Sequence, residues 1–353
     1  MRRTKRCPIL LALAVAALAA PEALPAVQRT FVGSYGQDTW DCSVMAPCRT
    51  FGAAAAQTLD GGEIIVTDAG EYGAVTLTQS ISIVGPGDVH AGVAVAGGAG
   101  ITINAPGKVV RLEGLSLEGR GGDVGVRVEG ASLVLIQRCS IAGFSDAGIR
   151  SSAGAPNIFV HDTTIRDNGV GIVVEGAAKL VVERGRVEKN TGAGMRVGAD
   201  AAATIASSSF AFNGGHGLVI QPATGTARAA VVGTLFAENA GDGIHATAAA
   251  STTVKLSLST SELRRNSNGL AVDAGAGATI GIDVEDSAFS DQPNAGISAS
   301  NAGGTVKLTL SGNTVVRNGT GVVNSGALVE SRGNNTFNYN GTNGSPLALF
   351  PGM

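Results

Sequence analysis

The stretch from Ile165 to Ile172 reads I-R-D-N-G-V-G-I, and versions of it recur along the chain at a nearly fixed interval. Its last glycine is followed at once by an apolar residue, and this pair occurs nine times at intervals of 23 to 27 residues. A period of this length, kept over so many copies, predicts a repeat fold in which each copy adds one structural unit. The glycines of this column are Gly125, Gly148, Gly171, Gly194, Gly217, Gly243, Gly269, Gly296 and Gly321.

An asparagine column precedes the glycine column, three residues after an apolar position. Asparagine tolerates the left-handed backbone region and glycine enters it freely, so the two columns predict a repeated turn. Stacked turns can also be joined by a ladder of Asn side chains. The column contains Asn168, Asn190, Asn213, Asn239, Asn266, Asn318 and Asn340, with Phe144 and Gln292 at the equivalent place in two copies.

The segments between these turns alternate apolar and polar residues, as in T-V-K-L-S-L-S from residue 253 and T-V-K-L-T-L-S from residue 305. Alternation at period two predicts strands with one buried face. Short strands that recur with each copy, without a helical apolar stripe, predict one coil of a parallel β-solenoid per repeat.

The two columns and the alternating strands resemble those of the right-handed parallel β-helix repeat proteins of the pectate-lyase-like superfamily, in particular the secreted bacterial type. The resemblance covers roughly residues 63–345. It implies an all-β chain that forms a single-stranded right-handed parallel β-helix of about eleven coils. Leucine-rich repeats have a similar period, but their L-x-x-L-x-L pattern is absent from this sequence.

The first 26 residues have the layout of a secretory signal peptide, with four basic residues, an apolar run from Ile9 to Ala20 and small residues up to Ala26. Their removal takes away four of 25 basic and one of 28 acidic groups, which leaves a net charge of −6. A mildly acidic protein lacks the basic surface that nucleic acids require. The sequence therefore predicts a secreted, periplasmic or extracellular protein without a nucleic-acid partner or a membrane span.

The rest of the chain is expected to divide into three parts. Residues 27–62 would form an N-terminal cap, because an open solenoid end exposes unpaired strand edges and apolar core. Residues 63–345 would form the β-helix, and residues 346–353 would form a C-terminal tail.

Two features are expected inside the cap. Cys42 and Cys48 are close enough in sequence to form a disulfide in an oxidising compartment. A short helix is expected over residues 53–59, with Thr50 as its N-cap and Gly61-Gly62 as its stop.

Three arginines are candidate ligand-binding residues. Arg127, Arg150 and Arg196 each lie two residues after a repeat glycine, which places them on one outward column. The resemblance implies that functional sites lie on the outer faces of strands, so three arginines in one column predict a grip on an acidic glycan. The alternative is that these arginines are solvated and paired with the nearby Glu129 and Glu175.

A second group of residues is a catalytic candidate. His216 and Asp242 directly precede repeat glycines on successive coils, and His245 lies on the adjoining strand. A histidine oriented by a carboxylate could act as a general base or supply half of a metal site, although no metal is assigned. His216 also stands in a Gly-His-Gly motif that galacturonan hydrolases of this superfamily carry, but their N-T-D, D-D and R-I-K motifs are absent here.

Because the repeat is strong and no catalytic set converges, the sequence predicts an exported, non-enzymatic β-helix that acts in binding or adhesion at the cell surface or envelope. The candidate partner is a polysaccharide or cell-surface glycan. The alternative, which the resemblance implies, is a lyase, hydrolase or epimerase that acts on an acidic polysaccharide. No cofactor is expected, except calcium if the chain is a lyase, and the oligomeric state is left open.

Overall fold

The computed structural model describes residues 27–350 apart from 152, 153 and 155, and these residues form a parallel β-solenoid. Each coil passes through three sheets in turn, which we number 1, 2 and 3, and neighbouring coils pair in parallel. The prediction of an all-β solenoid of about eleven coils is confirmed. The predicted signal peptide lies outside the described residues.

The strands of the three sheets have the following bounds. Sheet 1 contains Val27–Val32, Thr58–Val66, Ile81–Val84, Val109–Glu113, Leu133–Gln137, Asn157–His161, Lys179–Glu183, Ala202–Ala206, Thr226–Val232, Thr253–Ser259, Thr279–Glu285, Thr305–Ser311, Leu328–Ser331 and Ala348–Leu349. Sheet 2 contains Gly70–Glu71, Ala91–Val95, Leu115–Gly119, Ser140–Ala142, Thr164–Arg166, Arg186–Glu188, Ser209–Ala211, Leu235–Ala237, Glu262–Arg264, Ala288–Ser290, Thr314–Val316 and Thr336–Asn338. Sheet 3 contains Val75–Leu77, Ala99–Asn104, Val124–Gly130, Ala147–Ser151, Val170–Val174, Met195–Val197, Leu218–Ile220, Ile244–Ala248, Leu270–Ala274, Ala295–Asn301, Thr320–Ser325 and Thr342–Gly344.

The period-two alternation decides which side chains enter the core. In the strand Thr253–Ser259, three apolar side chains, Val254, Leu256 and Leu258, are buried, whereas Lys255 is exposed. Burying an aliphatic side chain of this size contributes about 1.5 to 3 kcal/mol. The coils therefore stack around one apolar axis, and every second strand residue is left outside as a candidate for function.

A ladder of asparagine side chains runs along the turns between sheets 2 and 3. Asn168 Nδ2 donates to Asn190 Oδ1 over 3.1 Å, and Asn190 Nδ2 donates to Asn213 Oδ1 over 2.9 Å. The predicted ladder is confirmed, but the predicted left-handed backbone of the asparagines is wrong. That conformation belongs to the preceding residue, as at Phe212 with a φ of 57°, because this residue turns outward while the asparagine is buried.

The repeat glycines also have a different role from the predicted one. Gly171 does not have a positive φ; instead, a Cβ at this position would lie 2.4 Å from the Gly194 carbonyl oxygen and 2.5 Å from the Val187 side chain. Real Cβ atoms do not approach other atoms so closely. The glycine column is therefore required by the close contact between stacked coils rather than by backbone conformation.

The first coil is covered by a small N-terminal segment. The disulfide between Cys42 and Cys48 is present, and Thr50 caps the helix Phe51–Gln57 by accepting a hydrogen bond from the Ala53 N–H. The expected stop at Gly61-Gly62 is wrong, because the helix ends earlier and both glycines lie in the strand Thr58–Val66. At the other end, the described part of the expected tail adds the strand Ala348–Leu349 to sheet 1.

Replacing Cys42 and Cys48 by serine should loosen this cap. The chain-entropy estimate for so short a loop is about 2 kcal/mol, and coils of a solenoid contact only their neighbours. We expect faster hydrogen exchange in residues 27–62 and unchanged protection beyond Gly125. Cys139→Ser is the matched control, because Cys139 is the free buried cysteine of the described chain; equal loss of protection along the whole rod would contradict the prediction.

Candidate functional site

The structure brings His216, Asp242 and His245 together at the N-terminal ends of two neighbouring strands of sheet 3, Leu218–Ile220 and Ile244–Ala248. Asp242 Oδ2 lies 2.8 Å from His245 Nδ1 and 3.2 Å from His216 Nδ1. The two imidazole rings lie 4.6 Å apart, centroid to centroid. The predicted cluster therefore exists as a geometric unit; its catalytic role stays a prediction.

Part of this cluster has a structural role that the sequence does not reveal. The Asp242 N–H donates to His216 Nδ1 over 2.9 Å, and the Asn268 N–H donates to Asp242 Oδ1 over 3.1 Å. The Ala295 N–H in turn donates to Asn268 Oδ1. Each side chain thus accepts the backbone N–H of the next coil, and His216 Nδ1 is the unprotonated ring nitrogen in this arrangement.

The charges of the cluster are coupled. Burial opposes ionisation of Asp242, but the adjacent His216 imidazole and hydrogen bonds from His245 and Asn268 outweigh it and hold the pKa of this carboxyl well below its usual range. The hydrogen bond to Asp242 raises the pKa of His245, against the opposing effect of partial burial. Asp242 is therefore a buried carboxylate that holds His245 through Nδ1, while His245 Nε2 lies 3.8 Å from Asp273 Oδ2.

The arginine column has the predicted register but not the predicted partners. Arg127 stands directly beside Arg150 on neighbouring coils, and Val173 separates Arg150 from Arg196. The pairing expected with Glu129 and Glu175 is wrong. Two of the arginines instead pair with an aspartate four residues earlier in the chain, which lies in the turn that leads into sheet 3. Arg127 pairs with Asp123, and Arg150 pairs with Asp146. Among the described residues, Arg196 has no ion-pair partner.

A groove of about 750 Å³ on the outer face of sheet 1 is the site that the sequence reasoning missed. Four basic side chains line it, and small residues form much of its floor. The basic residues are Arg228, Lys255, Lys307 and Arg332, and the small ones include Ala202, Thr204, Ala230, Ser257 and Gly281. The available signal was the basic residue at the same outward position in T-A-R-A-A-V-V, T-V-K-L-S-L-S and T-V-K-L-T-L-S.

The basic residues of the groove lie in one column along the solenoid. Arg228 stands beside Lys255, which stands beside Gly281, which stands beside Lys307. Lys307 pairs with Glu330 over 3.2 Å. In the described chain, no carboxylate forms an ion pair with Arg228 or Lys255, so these two adjacent basic side chains are available to an anionic ligand.

Gly281 and Phe350 shape the C-terminal half of the groove. A Cβ at Gly281 would meet nothing within 4 Å, so this position is open space between Lys255 and Lys307. The Phe350 ring closes the end, with Arg332 Cζ at 4.8 Å and Lys307 Nζ at 5.7 Å from its centroid. The strand Ala348–Leu349 holds this ring in place by pairing with sheet 1.

Residues 92–261 match a family model described as a right handed beta helix region. This match gives the hand of the solenoid. The chain is a right-handed parallel β-helix with a pectate-lyase-like fold. Among curated proteins, no sequence matches it significantly.

Solved structures of other proteins resemble this β-helix at low identity. Pectate lyase Pel9A is 14% identical, with a TM-score of 0.52, and the match covers 92% of this chain and 79% of that one. The A-module of mannuronan C-5 epimerase AlgE4 from Azotobacter vinelandii is 16% identical, with a TM-score of 0.59 and coverage of 82% and 89%. The Dettilon tailspike protein is 13% identical, with a TM-score of 0.59 and coverage of 88% and 68%. At these identities the likeness concerns the fold alone.

Within the part of the β-helix that the structure describes, no helix has the length and apolar character needed to cross a membrane.

Proposed function

We propose that this β-helix is an exported protein that binds an anionic polysaccharide in the groove of sheet 1. The observation that carries the proposal is the column of Arg228, Lys255 and Lys307 above a floor of small side chains. Guanidinium and ammonium groups pair with carboxylates, and a groove of one sign concentrates charge of the other sign. A neutral ligand would form no ion pairs with these basic side chains.

The geometry of the column suits a chain molecule that lies along the solenoid. Stacked strands are about 4.8 Å apart, so neighbouring basic groups repeat at roughly the length of one sugar unit of an extended polysaccharide. Arg228 and Lys255 occupy adjacent coils, and Lys307 follows two coils after Lys255. A polyuronate, which carries one carboxylate per sugar, matches this repeat.

The expected cellular location of the protein supports the same proposal. The predicted signal peptide and the disulfide between Cys42 and Cys48 favour a place outside the cytoplasm, where acidic polysaccharides of cell surfaces and envelopes are found. The names of the similar solved structures refer to pectate and mannuronan, which are also uronate polymers. The partner that we propose is therefore a polysaccharide or cell-surface glycan with carboxylate groups.

Catalysis in the groove is the second candidate function. Removal of a proton beside a uronate carboxylate requires neutralisation of the developing charge, which Arg228 and Lys255 could provide. Asp283 adds a carboxylate to the lining, where it could share a calcium ion with the ligand. Among the described lining residues there is no histidine or tyrosine to serve as a second proton-transfer group, which is why binding is the first proposal.

The double substitution Arg228→Ala and Lys255→Ala should weaken binding of polygalacturonate or alginate about tenfold or more. Two charge-assisted contacts of about 1 kcal/mol each account for this change. Lys179→Ala is the matched control, because Lys179 is exposed and lies in the same column outside the groove. Affinity of the native protein should also fall as salt is raised, since exposed charges are screened.

Affinity electrophoresis or calorimetry, at low and physiological salt, would provide these measurements. Equal affinity for a neutral glucan, or equal loss in the Lys179→Ala control, would contradict the binding proposal. The same samples, with and without calcium, should be followed for unsaturated products and reducing ends. Turnover that disappears in the double variant would replace binding by catalysis as the function of the groove.

A further inference from the structure

Away from the groove, the cluster of His216, Asp242 and His245 has potential metal-ligand atoms that lie close to one another. Asp242 Oδ2 lies 2.8 Å from His245 Nδ1 and 3.2 Å from His216 Nδ1. Atoms bound to one tetrahedral ion at about 2.0 to 2.1 Å are themselves roughly 3.3 Å apart. Both nitrogens therefore already stand at nearly the distance from the carboxylate oxygen that a shared ion would impose.

We propose that His216, Asp242 and His245 form a binding site for a divalent transition metal ion such as zinc or nickel. Their ligand atoms all lie within 4.8 Å of one another, and in the described part of the chain no other group of three histidine, cysteine or acidic residues does so. The repeat produces this convergence. His216 and Asp242 occupy one column on neighbouring coils, and His245 is the second residue of the strand Ile244–Ala248, which follows Asp242.

The ligand set decides the class of metal. Two imidazoles and one carboxylate suit zinc, nickel, copper and iron, whereas calcium and magnesium prefer sets of oxygen atoms. With one carboxylate and two neutral histidines, the site has a charge of −1, which a divalent cation reverses. Three protein ligands leave at least one coordination position to water or to an external oxygen ligand.

The surroundings hold the carboxylate in a binding orientation. Asn268 donates to Asp242 Oδ1 through both its side-chain amide, over 2.7 Å, and its backbone N–H, over 3.1 Å. These bonds occupy Oδ1 and leave Oδ2 directed at the two histidines. Hydrogen bonds of this kind orient metal ligands and tune their affinity. The Asp242 side chain is only 8% exposed, whereas the His216 side chain is 34% exposed, so an ion can enter from the solvent side.

Metal binding must displace two existing hydrogen bonds, one at each histidine. The Asp242 N–H donates to His216 Nδ1, and an ion at that nitrogen takes the same lone pair. The His216 ring therefore has to turn away from this N–H, which its exposure permits. At His245, the proton on Nδ1 moves to Nε2, so that Nδ1 becomes the ligand. Metal–nitrogen bonds replace the interactions that are lost.

The chain offers a natural comparison in His161. This histidine also lies near two carboxylates, with Asp162 Oδ2 at 3.1 Å and Glu183 Oε2 at 3.9 Å. There, however, the Arg184 guanidinium contacts both the ring and Asp162 and already supplies the positive charge. No arginine or lysine forms an ion pair with Asp242 among the described residues. His161 is therefore a suitable control residue.

The test uses the processed full chain without an affinity tag, freed of metal by dialysis against EDTA. Calorimetric titration with zinc chloride should show one ion bound per chain, nickel chloride should bind at the same site, and calcium chloride should not compete. His216→Ala and His245→Ala should each weaken zinc binding at least about tenfold. His90→Ala and His161→Ala, which remove the other two histidines of the chain, should leave zinc affinity unchanged.

Two outcomes would overturn the proposal. One is the absence of stoichiometric zinc binding to the native protein; the other is unchanged binding in the double variant His216→Ala and His245→Ala. Asp242→Asn keeps the shape of the side chain and the acceptor for Asn268, so it should remain folded and lose zinc affinity. X-ray absorption of the zinc complex should show two imidazole ligands. Polysaccharide binding, measured in EDTA, reports on the groove independently.

Discussion

Replacing Asn213 with leucine is expected to lower the free energy of unfolding by about 3 kcal/mol. Asn213 Nδ2 donates to Asn239 Oδ1 and to the Val187 carbonyl oxygen, and both bonds would be lost. In addition, Asn213 Oδ1 accepts from both the backbone N–H and the Nδ2 of Asn190. Leucine would leave the buried Asn190 N–H without a partner and Asn190 Nδ2 with only a 3.5 Å bond to the Ile165 carbonyl oxygen. An unpaired buried group costs about 1 to 3 kcal/mol.

Asn301→Leu is the matched control for this change. Asn301 lies outside the ladder, is only partly buried, and donates one hydrogen bond, to the Gly326 carbonyl oxygen over 3.3 Å. Its replacement should change the unfolding free energy by about 0.5 kcal/mol or less. Chemical denaturation gives both values, and hydrogen exchange should locate the loss in the coils next to Asn213. Equal destabilisation by the two substitutions would mean that the ladder does not stabilise the stack.

Gly281→Glu is expected to weaken polyuronate binding about a hundredfold without lowering stability. The new side chain would stand between Lys255 and Lys307, where it would fill the floor, pair with Lys255 and oppose the ligand's own carboxylates. Juxtaposed like charges cost several kcal/mol, and 1.4 kcal/mol corresponds to a factor of ten in affinity. Because a Cβ at Gly281 meets nothing and its φ is ordinary, the fold has room for the substitution.

Val109→Glu is the control for the change at Gly281. Val109 is exposed, lies in the same outward column of sheet 1, and stands several coils before the groove. The substitution Val109→Glu alters the net charge of the protein by the same amount as Gly281→Glu. It therefore separates the effect of a charge inside the groove from the effect of net charge. Binding curves at one salt concentration and melting curves of both variants provide the measurement. Similar losses of affinity would show that only net charge matters.

Much of the fold could be predicted from the sequence because the same residue pattern recurs in coil after coil. The Asn and Gly columns located the turns between sheets 2 and 3, and the alternation of T-V-K-L-S-L-S assigned the buried face. The sequence did not predict correctly which residue of each turn adopts the left-handed backbone conformation. Residues such as Phe212 adopt the left-handed conformation because the fold buries the following asparagine, and no intrinsic preference of phenylalanine predicts that choice.

The candidate sites were harder to predict, and for a physical reason. His216, Asp242 and His245 could be grouped because two of them share a column next to the repeat glycine. The groove depends on Arg332 and Phe350, which directly follow the last two strands of sheet 1, where the repeat pattern is weak. The basic column itself was visible in the sequence, but only the register of the described strands shows that Arg228 and Lys255 lie side by side, and only the structure shows that neither has an ion-pair partner among the described residues.

The central claim is that an acidic glycan lies along sheet 1 rather than along sheet 3. A crystal structure of the protein with a bound oligogalacturonate or oligomannuronate tests it most directly. The proposed site predicts the sugar chain over Gly281, with carboxylates at Arg228, Lys255 and Lys307. Sugar density instead along the column of Arg127, Arg150 and Arg196, with an empty groove on sheet 1, would contradict it.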